Sequence, residues 1–425
     1  MILIYGGRVI DPRSGTDQIA DVLIADDKIT GIGKFARKGT YEQMIDASGK
    51  IVAPGLIDIH VHFRDPGLTY KEDIESGAKA AAAGGFTTVV CMANTKPVVD
   101  NQSILHYVLE KGENTGIHVL SVGAVTKGMQ GEELTDFAEL KEAGAVGLSD
   151  DGLPIRDSRV MYEAMCRAKE AGMPISLHEE DPSYVFQAGI NKGKVSDALG
   201  VGGAMALSEN LMVARDCMLA LETGARINIQ HISSKRSLEL VRLSRRLGAD
   251  IWAEATPQHF SLTEEIALEK RALAKVNPPL RTEEDREAII DGLRDGTIQV
   301  IATDHAPHSK EEKTKPLSQA PSGMIGLETS LALGNTNLVR TGNLTMVQLL
   351  QKMAWNPARL YGLDAGYLTE GAKADLVIFD ENEKWRVATF QSKSCNSPFI
   401  GEELWGKIKY TFCGGKIVYM DLDTV

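Results

Sequence analysis

Eight short apolar runs alternate with amphipathic stretches through the middle of the chain, and this alternation restricts the fold more than any other feature. The runs are LIDIHVHF, TTVVCMAN, HVLSVGAV, AVGLSDD, PISLHEE, RINIQHIS, DIWAEATP and QVIATDHAP; between them lie segments such as YKEDIESGAKAAAAGG, ELTDFAELKEAG, SRVMYEAMCRAKEAG and SLELVRLSRRLG. Continuously apolar runs fit parallel strands buried on both faces, and the intervening periodicity fits the helices that cross between them. The pattern predicts an α/β protein built on a closed (β/α)8 TIM-like barrel rather than an open doubly wound sheet. No glycine-rich dinucleotide fingerprint opens a helix to favour the latter.

The first fifty residues and the last sixty have a different texture, with β-rich segments punctuated by Gly and Asp turns (MILIYGGRVID, IADVLIADDKITGIGK, KADLVIFDENEKWRV, GKIKYTFCGGKIVYM). We expect residues 1–52 and 363–425 to pair into one small flanking β-domain around a barrel at 53–362.

Most of the apolar runs close on polar residues. The first carries His60 and His62; the second ends in Asn94, the fourth in Asp150 and Asp151, the fifth in His178, the sixth in His231, the eighth in Asp304 and His305. In such a barrel the carboxyl ends of all strands meet on one face, so residues remote in sequence converge. Alternation along a strand sends His60 and His62 the same way, with Val61 opposed and Arg64 in register with the histidines. A lone histidine on an apolar strand is ordinarily a core or surface residue; His106, in a helical pattern, and His118, at a strand start, are read so, and His259 is left open.

Four histidines and an aspartate at the same end of different strands are read instead as a metal site. Imidazole and carboxylate donors suit Zn²⁺, and a donor set of this kind points to catalysis rather than to a structural role. The donors are too many for one tetrahedral ion with an open position; two ions bridged by a carboxylate and water would use them all and would supply nucleophile and electrophile for amide hydrolysis. The polar HSKEEKTKPLSQAPSG segment after the eighth run is expected as a long loop over the mouth.

Composition excludes other classes. A net charge of −12 with dispersed basic residues argues against nucleic-acid binding, and no run approaches the roughly 20 apolar residues of a membrane span. The N-terminus has no secretory pattern. The cysteines (Cys91, Cys166, Cys217, Cys395, Cys413) are scattered without a C-x-x-C pair; they are read as buried thiols in a reducing, cytoplasmic setting rather than as disulfides or zinc ligands.

The H-x-H on the first strand, the single histidines ending the fifth and sixth and the aspartate ending the eighth resemble the amidohydrolase superfamily. Within it, DIHVHFRDPG, GGFTTVVCMANTKPV, KVNPPLR and ATDHAPHSKEEK closely resemble the dihydroorotases of the longer bacterial class, over essentially the whole chain. The resemblance implies that His60, His62 and Asp304 hold one zinc ion and His178 and His231 another. It implies reversible interconversion of L-dihydroorotate and N-carbamoyl-L-aspartate in pyrimidine biosynthesis, with Asp304 moving the proton. Substrate contacts are implied for His62, Phe63, Arg64, Asn94, Asn277, His308 and the Ser322-Gly323 backbone, with Arg64 pairing with the substrate carboxylate. His305, next to Asp304, is expected to face away.

Where many superfamily members carry a bridging carboxylated lysine on the fourth strand, this chain has Asp150-Asp151. Asp151 is the expected bridge and Asp150 its competitor, since alternation turns only one inward. The resemblance leaves room for a homodimer and for association with aspartate transcarbamoylase. The competing readings are an allantoinase or a hydantoinase/dihydropyrimidinase, which typically keep the lysine, and a non-catalytic dihydroorotase-like partner of aspartate transcarbamoylase.

Overall fold

The computed structural model describes residues 1–38 and 40–422. Strands β1 (Ile2–Asp11), β2 (Thr16–Ala25), β3 (Lys28–Gly33), β4 (Gln43–Asp46) and β5 (Ile51–Pro54) open the chain. The central strands follow: β6 (Leu56–Val61), β7 (Phe86–Cys91), β8 (His118–Ser121), β9 (Ile175–Leu177), β10 (Ile227–Ile229), β11 (Ile251–Ala255) and β12 (Val300–Ile301). They form two parallel arcs, β6-β7-β8 and β9-β10-β11-β12. The expected fourth strand is reduced to a bridge at Leu148, which pairs with Gly123 on one side and Ile175 on the other and so joins the arcs. On the opposite side Val61 pairs with His305, and the His62 N–H donates to the His305 carbonyl at 2.9 Å, which closes the barrel.

Local chemistry marks the crossover helices. Asp73 caps helix Ile74–Ala83 by accepting from the Ser76 N–H, and the alanines of that helix let it lie close on β7. Asp157 caps Ser158–Ala171, which ends on Gly172 in the left-handed conformation. Thr282 caps Glu283–Asp295, with three acidic residues in the first turn where the helix dipole favours them. Leu56, Val89, Ile175, Ile227, Ala253 and Val300 are buried on the strands, each of the larger ones contributing about 2 kcal/mol of transfer free energy.

The chain ends with β13 (Leu376–Arg386), β14 (Glu403–Cys413) and β15 (Lys416–Met420). β13 pairs antiparallel with β5, Leu376 opposite Pro54, so both ends of the chain build one sheet in the order β15-β14-β13-β5-β1-β2-β3, with β4 beside β1. This sheet is continuous with the barrel, because only Gly55 separates β5 from β6. A Cβ on Gly55 would lie 2.2 Å from Thr87 Oγ1, so no other residue fits this corner unchanged. The Thr411 hydroxyl on β14 donates to the Ala82 carbonyl at 2.7 Å, a second tie between the sheet and the first crossover helix. No helix among the described residues is long and apolar enough to cross a membrane.

The segment after β12 is the expected loop, carrying one short helix. Ser309 caps a short helix, Lys310–Lys313, with a reciprocal bond from its N–H to Glu312, and the buried Lys313 ammonium donates to the Pro321 and Gly323 carbonyls.

Glu328, below the barrel, accepts from the backbone N–H groups of Gln391 and Ser392. Burial pushes its pKa up to about 7 from the ordinary 4.5, with those bonds pulling the other way. The folded protein therefore keeps a proton that the unfolded chain has released. Stability from this group is complete below the unfolded pKa and is lost as pH rises toward about 7. The unfolding free energy of the wild type minus that of Glu328→Gln should fall by up to about 3 kcal/mol over this window. Parallel pH curves for the two proteins in chemical denaturation would refute it.

Candidate active site

At the carboxyl ends of the strands, two groups of donor atoms share one residue. His60, His62 and Asp151 form the first and Asp151, His178 and His231 the second; within each, the ligand atoms lie within 4.8 Å of one another, and all five residues are buried. Asp151 Oδ1 is 3.4 Å from His60 Nε2 and 3.6 Å from both His178 Nδ1 and His231 Nε2, while Oδ2 is 3.4 Å from His62 Nε2. Asp150 turns away, accepting at 2.7 Å from the Val125 N–H and also from Thr126. Of the Asp-Asp pair, the Val125–Thr126 turn engages Asp150, and Asp151 is the one that faces the histidines.

The outer nitrogens of the strand-one histidines are already bonded. His60 Nδ1–H donates to Glu254 Oε1 at 2.6 Å and His62 Nδ1–H to Asn94 Oδ1 at 3.0 Å, which leaves both Nε2 lone pairs turned inward. His60 Nε2 and Asp151 Oδ1 are buried and find no hydrogen-bond partner among the described residues. Orphaned polar atoms of this kind cost about 1–3 kcal/mol each in a purely organic interior. A cation bound between them removes that cost, and the imidazole–carboxylate donor set fits one; the centre is that of a metal cofactor.

The electrostatics agree. Burial opposes charge on His60, but Asp151 and Glu254 outweigh it and raise its pKa. Burial pushes Asp151 up, and the histidines, led by His60, more than offset this and hold it ionised. Negative charge is thus concentrated where positive charge belongs. Asp304 Oδ1 sits 3.0 Å from His62 Nε2 and 3.6 Å from His60 Nε2. Asp304 and His231 both adopt left-handed backbone, φ 50° and 32°, where the strands give way to loops.

The groups face a cavity of about 180 Å³, whose lining also includes Arg64, Asn94, Asn277, His308, Ser322 and Gly323. Arg64 arrives there by a route other than the expected register: β6 ends at Val61 and Arg64 takes φ 60°, so a turn, not strand alternation, delivers it. Its Nε donates to the Pro307 carbonyl at 3.3 Å.

Phe63 does not join the lining. Its side chain packs in the core, edge-on to the His305 ring and over Gly77, where a Cβ would come within 2.4 Å of it. His305 faces the same way, Nε2 3.4 Å from Glu72. His259 is also outside, bonded to Thr256 and the Pro278 carbonyl.

The amide nitrogen of Asn94 donates to the Asp151 carbonyl and carboxylate at 3.2 and 3.4 Å, so this side chain braces the centre as well as facing the cavity. His308 Nε2–H donates to the Ser322 carbonyl at 2.8 Å, leaving Nδ1 to accept from Lys71 at 3.3 Å. Burial and the charges of Arg64, Lys71 and Lys313 hold it neutral, its pKa driven down to about 2. Asn277 Oδ1 is buried with no partner among the described residues, an acceptor left for a ligand.

A family model described as Dihydro-orotase-like matches residues 49–237. The chain is 59% identical to a dihydroorotase of Clostridioides difficile over 419 residues, covering 99% of this chain and 100% of that one. It is 56% identical to one of Clostridium acetobutylicum, again over 99% of this chain and all of the relative. The chain belongs to the dihydroorotase family. In three dimensions it is similar to L-hydantoinase from Arthrobacter aurescens, with a TM-score of 0.86 at 26% identity over 99% of this chain and 96% of that one. The amidohydrolase-type barrel with a sheet from both termini is therefore shared with hydantoinases, while sequence sets this chain with the dihydroorotases.

Sequence reasoning passed over Glu254, which is fully buried on β11, bonds His60 and accepts from Asn228 at 3.0 Å. A carboxylate inside the apolar run DIWAEATP was the available signal. Because Glu254 orients His60 and fixes its tautomer, Glu254→Gln should weaken metal binding about 10–100-fold. Metal content after dialysis against graded chelator measures this; retention equal to wild type would remove Glu254 from that role.

Proposed function

We infer that this protein is a metal-dependent dihydroorotase, opening the ring of L-dihydroorotate with water to give N-carbamoyl-L-aspartate and closing it in reverse. The observation that carries the reading is a pair of donor groups sharing Asp151 at a cavity that also holds Arg64, in a chain 59% identical to a dihydroorotase. We further propose that the metal is zinc, two ions per subunit. His60, His62 and Asp304 would hold one, His178 and His231 the other, with Asp151 common to both. Bound there, zinc would supply Lewis-acid charge and lower the pKa of water. In this reading residues 53–362 carry the site and 1–52 with 363–425 support it, and free cysteines throughout the chain support a reducing, cytoplasmic setting.

The side chains divide the remaining work. Asp304, lining the cavity and held below the usual carboxylate range because the histidines outweigh its burial, is ionised and able to take a proton. It receives one from the attacking water and delivers it to the departing ring nitrogen; in ring closure the same carboxylate runs the transfer backward. Arg64 has its terminal guanidinium nitrogens available for the substrate carboxylate, which they match bidentately. Neutral His308 adds no competing charge beside Arg64, and Asn277 Oδ1 accepts a ring N–H. Ser322 and Gly323 present backbone groups; Gly323, at φ 128°, has His308 Nε2 3.0 Å from where a Cβ would stand.

The first test is a substrate panel on the purified, zinc-loaded protein: dihydroorotate should be hydrolysed well ahead of dihydrouracil, hydantoin and allantoin, and the opposite ranking would overturn the assignment. Asp304→Asn should lower kcat at least about 100-fold with metal content retained; near-normal turnover eliminates the proton-shuttle role. Arg64→Met should raise KM for dihydroorotate about tenfold or more while leaving any activity on dihydrouracil, which lacks the carboxylate, unchanged or improved; an unchanged KM removes Arg64 from substrate recognition.

A further inference from the structure

Among the described residues, two of the three convergent groups of metal-type donors belong to the barrel mouth. The third lies at the other end. His118 opens β8, Asp375 immediately precedes β13 and Cys413 closes β14, so the group spans the junction between the barrel floor and the flanking sheet. We propose that His118, Asp375 and Cys413 form a second cation site, for zinc or another thiophilic divalent ion, independent of the catalytic centre.

The geometry is that of a prepared set of ligands. His118 Nε2, an Asp375 carboxylate oxygen and Cys413 Sγ lie within 4.8 Å of one another, although the residues come from three separate elements. Asp375 is held by the chain on both sides: its carbonyl accepts from the Gly55 N–H at 2.9 Å and its Oδ1 from the Gly414 N–H at 2.7 Å, which leaves Oδ2 facing His118 Nε2 at 2.9 Å. Cys413 Sγ lies 3.8 Å from the Thr87 carbonyl and also within hydrogen-bonding reach of the Asp375 carboxylate and the His118 backbone N–H, so the thiol belongs to the same cluster. A salt bridge would account for His118 and Asp375, yet it does not require a thiol beside them.

One imidazole, one carboxylate and one thiolate are a donor set that Zn²⁺ takes readily, with a water in the fourth position. The His118 side chain is 36% exposed, which gives the ion an entry and the water its place, while Asp375 is buried. Binding is a ligand exchange without redox change. The Cys413 thiol gives its proton to solvent and becomes the thiolate ligand. His118 gives up its hydrogen bond to Asp375, its ring proton resting on Nδ1 so that the Nε2 lone pair meets the ion. The consequence is a metal staple: the ion ties the first arc of the barrel to the start of β13 and the end of β14, next to the Gly55 corner where the two units join.

Cobalt distinguishes this site from the mouth, because no cysteine belongs to either donor group there. Full-length protein is stripped with chelator under reducing conditions and titrated with Co²⁺. The wild type should bind one equivalent more than Cys413→Ser and should show a thiolate-to-cobalt charge-transfer band in the near ultraviolet. Cys413→Ser and His118→Ala should both lose the band while keeping dihydroorotate hydrolysis. His118→Ala alters a part-exposed position, so it keeps the test decisive if the buried serine variant folds poorly. Zinc should also raise the melting temperature of the wild type more than that of either variant. Absence of the band in the wild type at saturating cobalt, or its persistence in His118→Ala, overturns the proposal. Because the readout is spectroscopic, it stands or falls separately from the assignment of the reaction.

Discussion

The barrel mouth depends on one electrostatic constraint, the burial of Asp151 among four imidazoles. A carboxylate and histidines taken out of water must find partners, and the inward atoms His60 Nε2 and Asp151 Oδ1 find none among the described protein atoms. The outer atoms, by contrast, are tightly engaged: Glu254 holds His60, Asn94 holds both His62 and Asp151, and the Val125–Thr126 turn removes Asp150 from competition. The barrel therefore spends its hydrogen bonds on orienting ligands and leaves their lone pairs to a cation. Closure of the barrel belongs to the same arrangement, because Asp58 accepts from the His60 and Thr303 N–H groups and so couples the strand of the H-x-H motif to the strand that ends in Asp304.

The cavity lining stands on less regular backbone. Arg64, Asp304 and His231 all take positive φ, and each stands where a strand gives way to a loop. The turn that lifts Arg64 to the cavity also drops Phe63 into the core against Gly77 and His305. Charge and packing are separated within two consecutive residues. The segment after the eighth strand is likewise ordered by buried charge, with Lys313 and Lys275 both donating to carbonyls of the stretch that carries Ser322 and Gly323.

The flanking sheet is more than an appendage. Its β5 runs into the first barrel strand through a single glycine, and its β13 completes the pairing that brings the chain ends together. That junction is where His118, Asp375 and Cys413 meet. Read along the sequence, Cys413 is one of several scattered thiols and His118 an ordinary strand histidine; their spacing carries no metal signature because the ligands come from elements that only the folded sheet makes adjacent.

The sequence by itself determined the barrel, the pairing of the termini and the four histidines at the strand ends, because apolar periodicity and strand-end chemistry are local properties that survive in one dimension; the family came from the resemblance of whole motifs. It reached Arg64 through a register that the folded chain does not use, and Phe63, which the resemblance implied as a substrate contact, has its side chain packed in the core. Only the tertiary structure decided between Asp150 and Asp151, reduced the fourth strand to the bridge at Leu148, recruited Glu254 from the seventh strand and brought Cys413 to His118. Each of those outcomes turns on which group across the barrel supplies a hydrogen bond or a contact, and such partners lie tens to hundreds of residues away, beyond the reach of any local pattern.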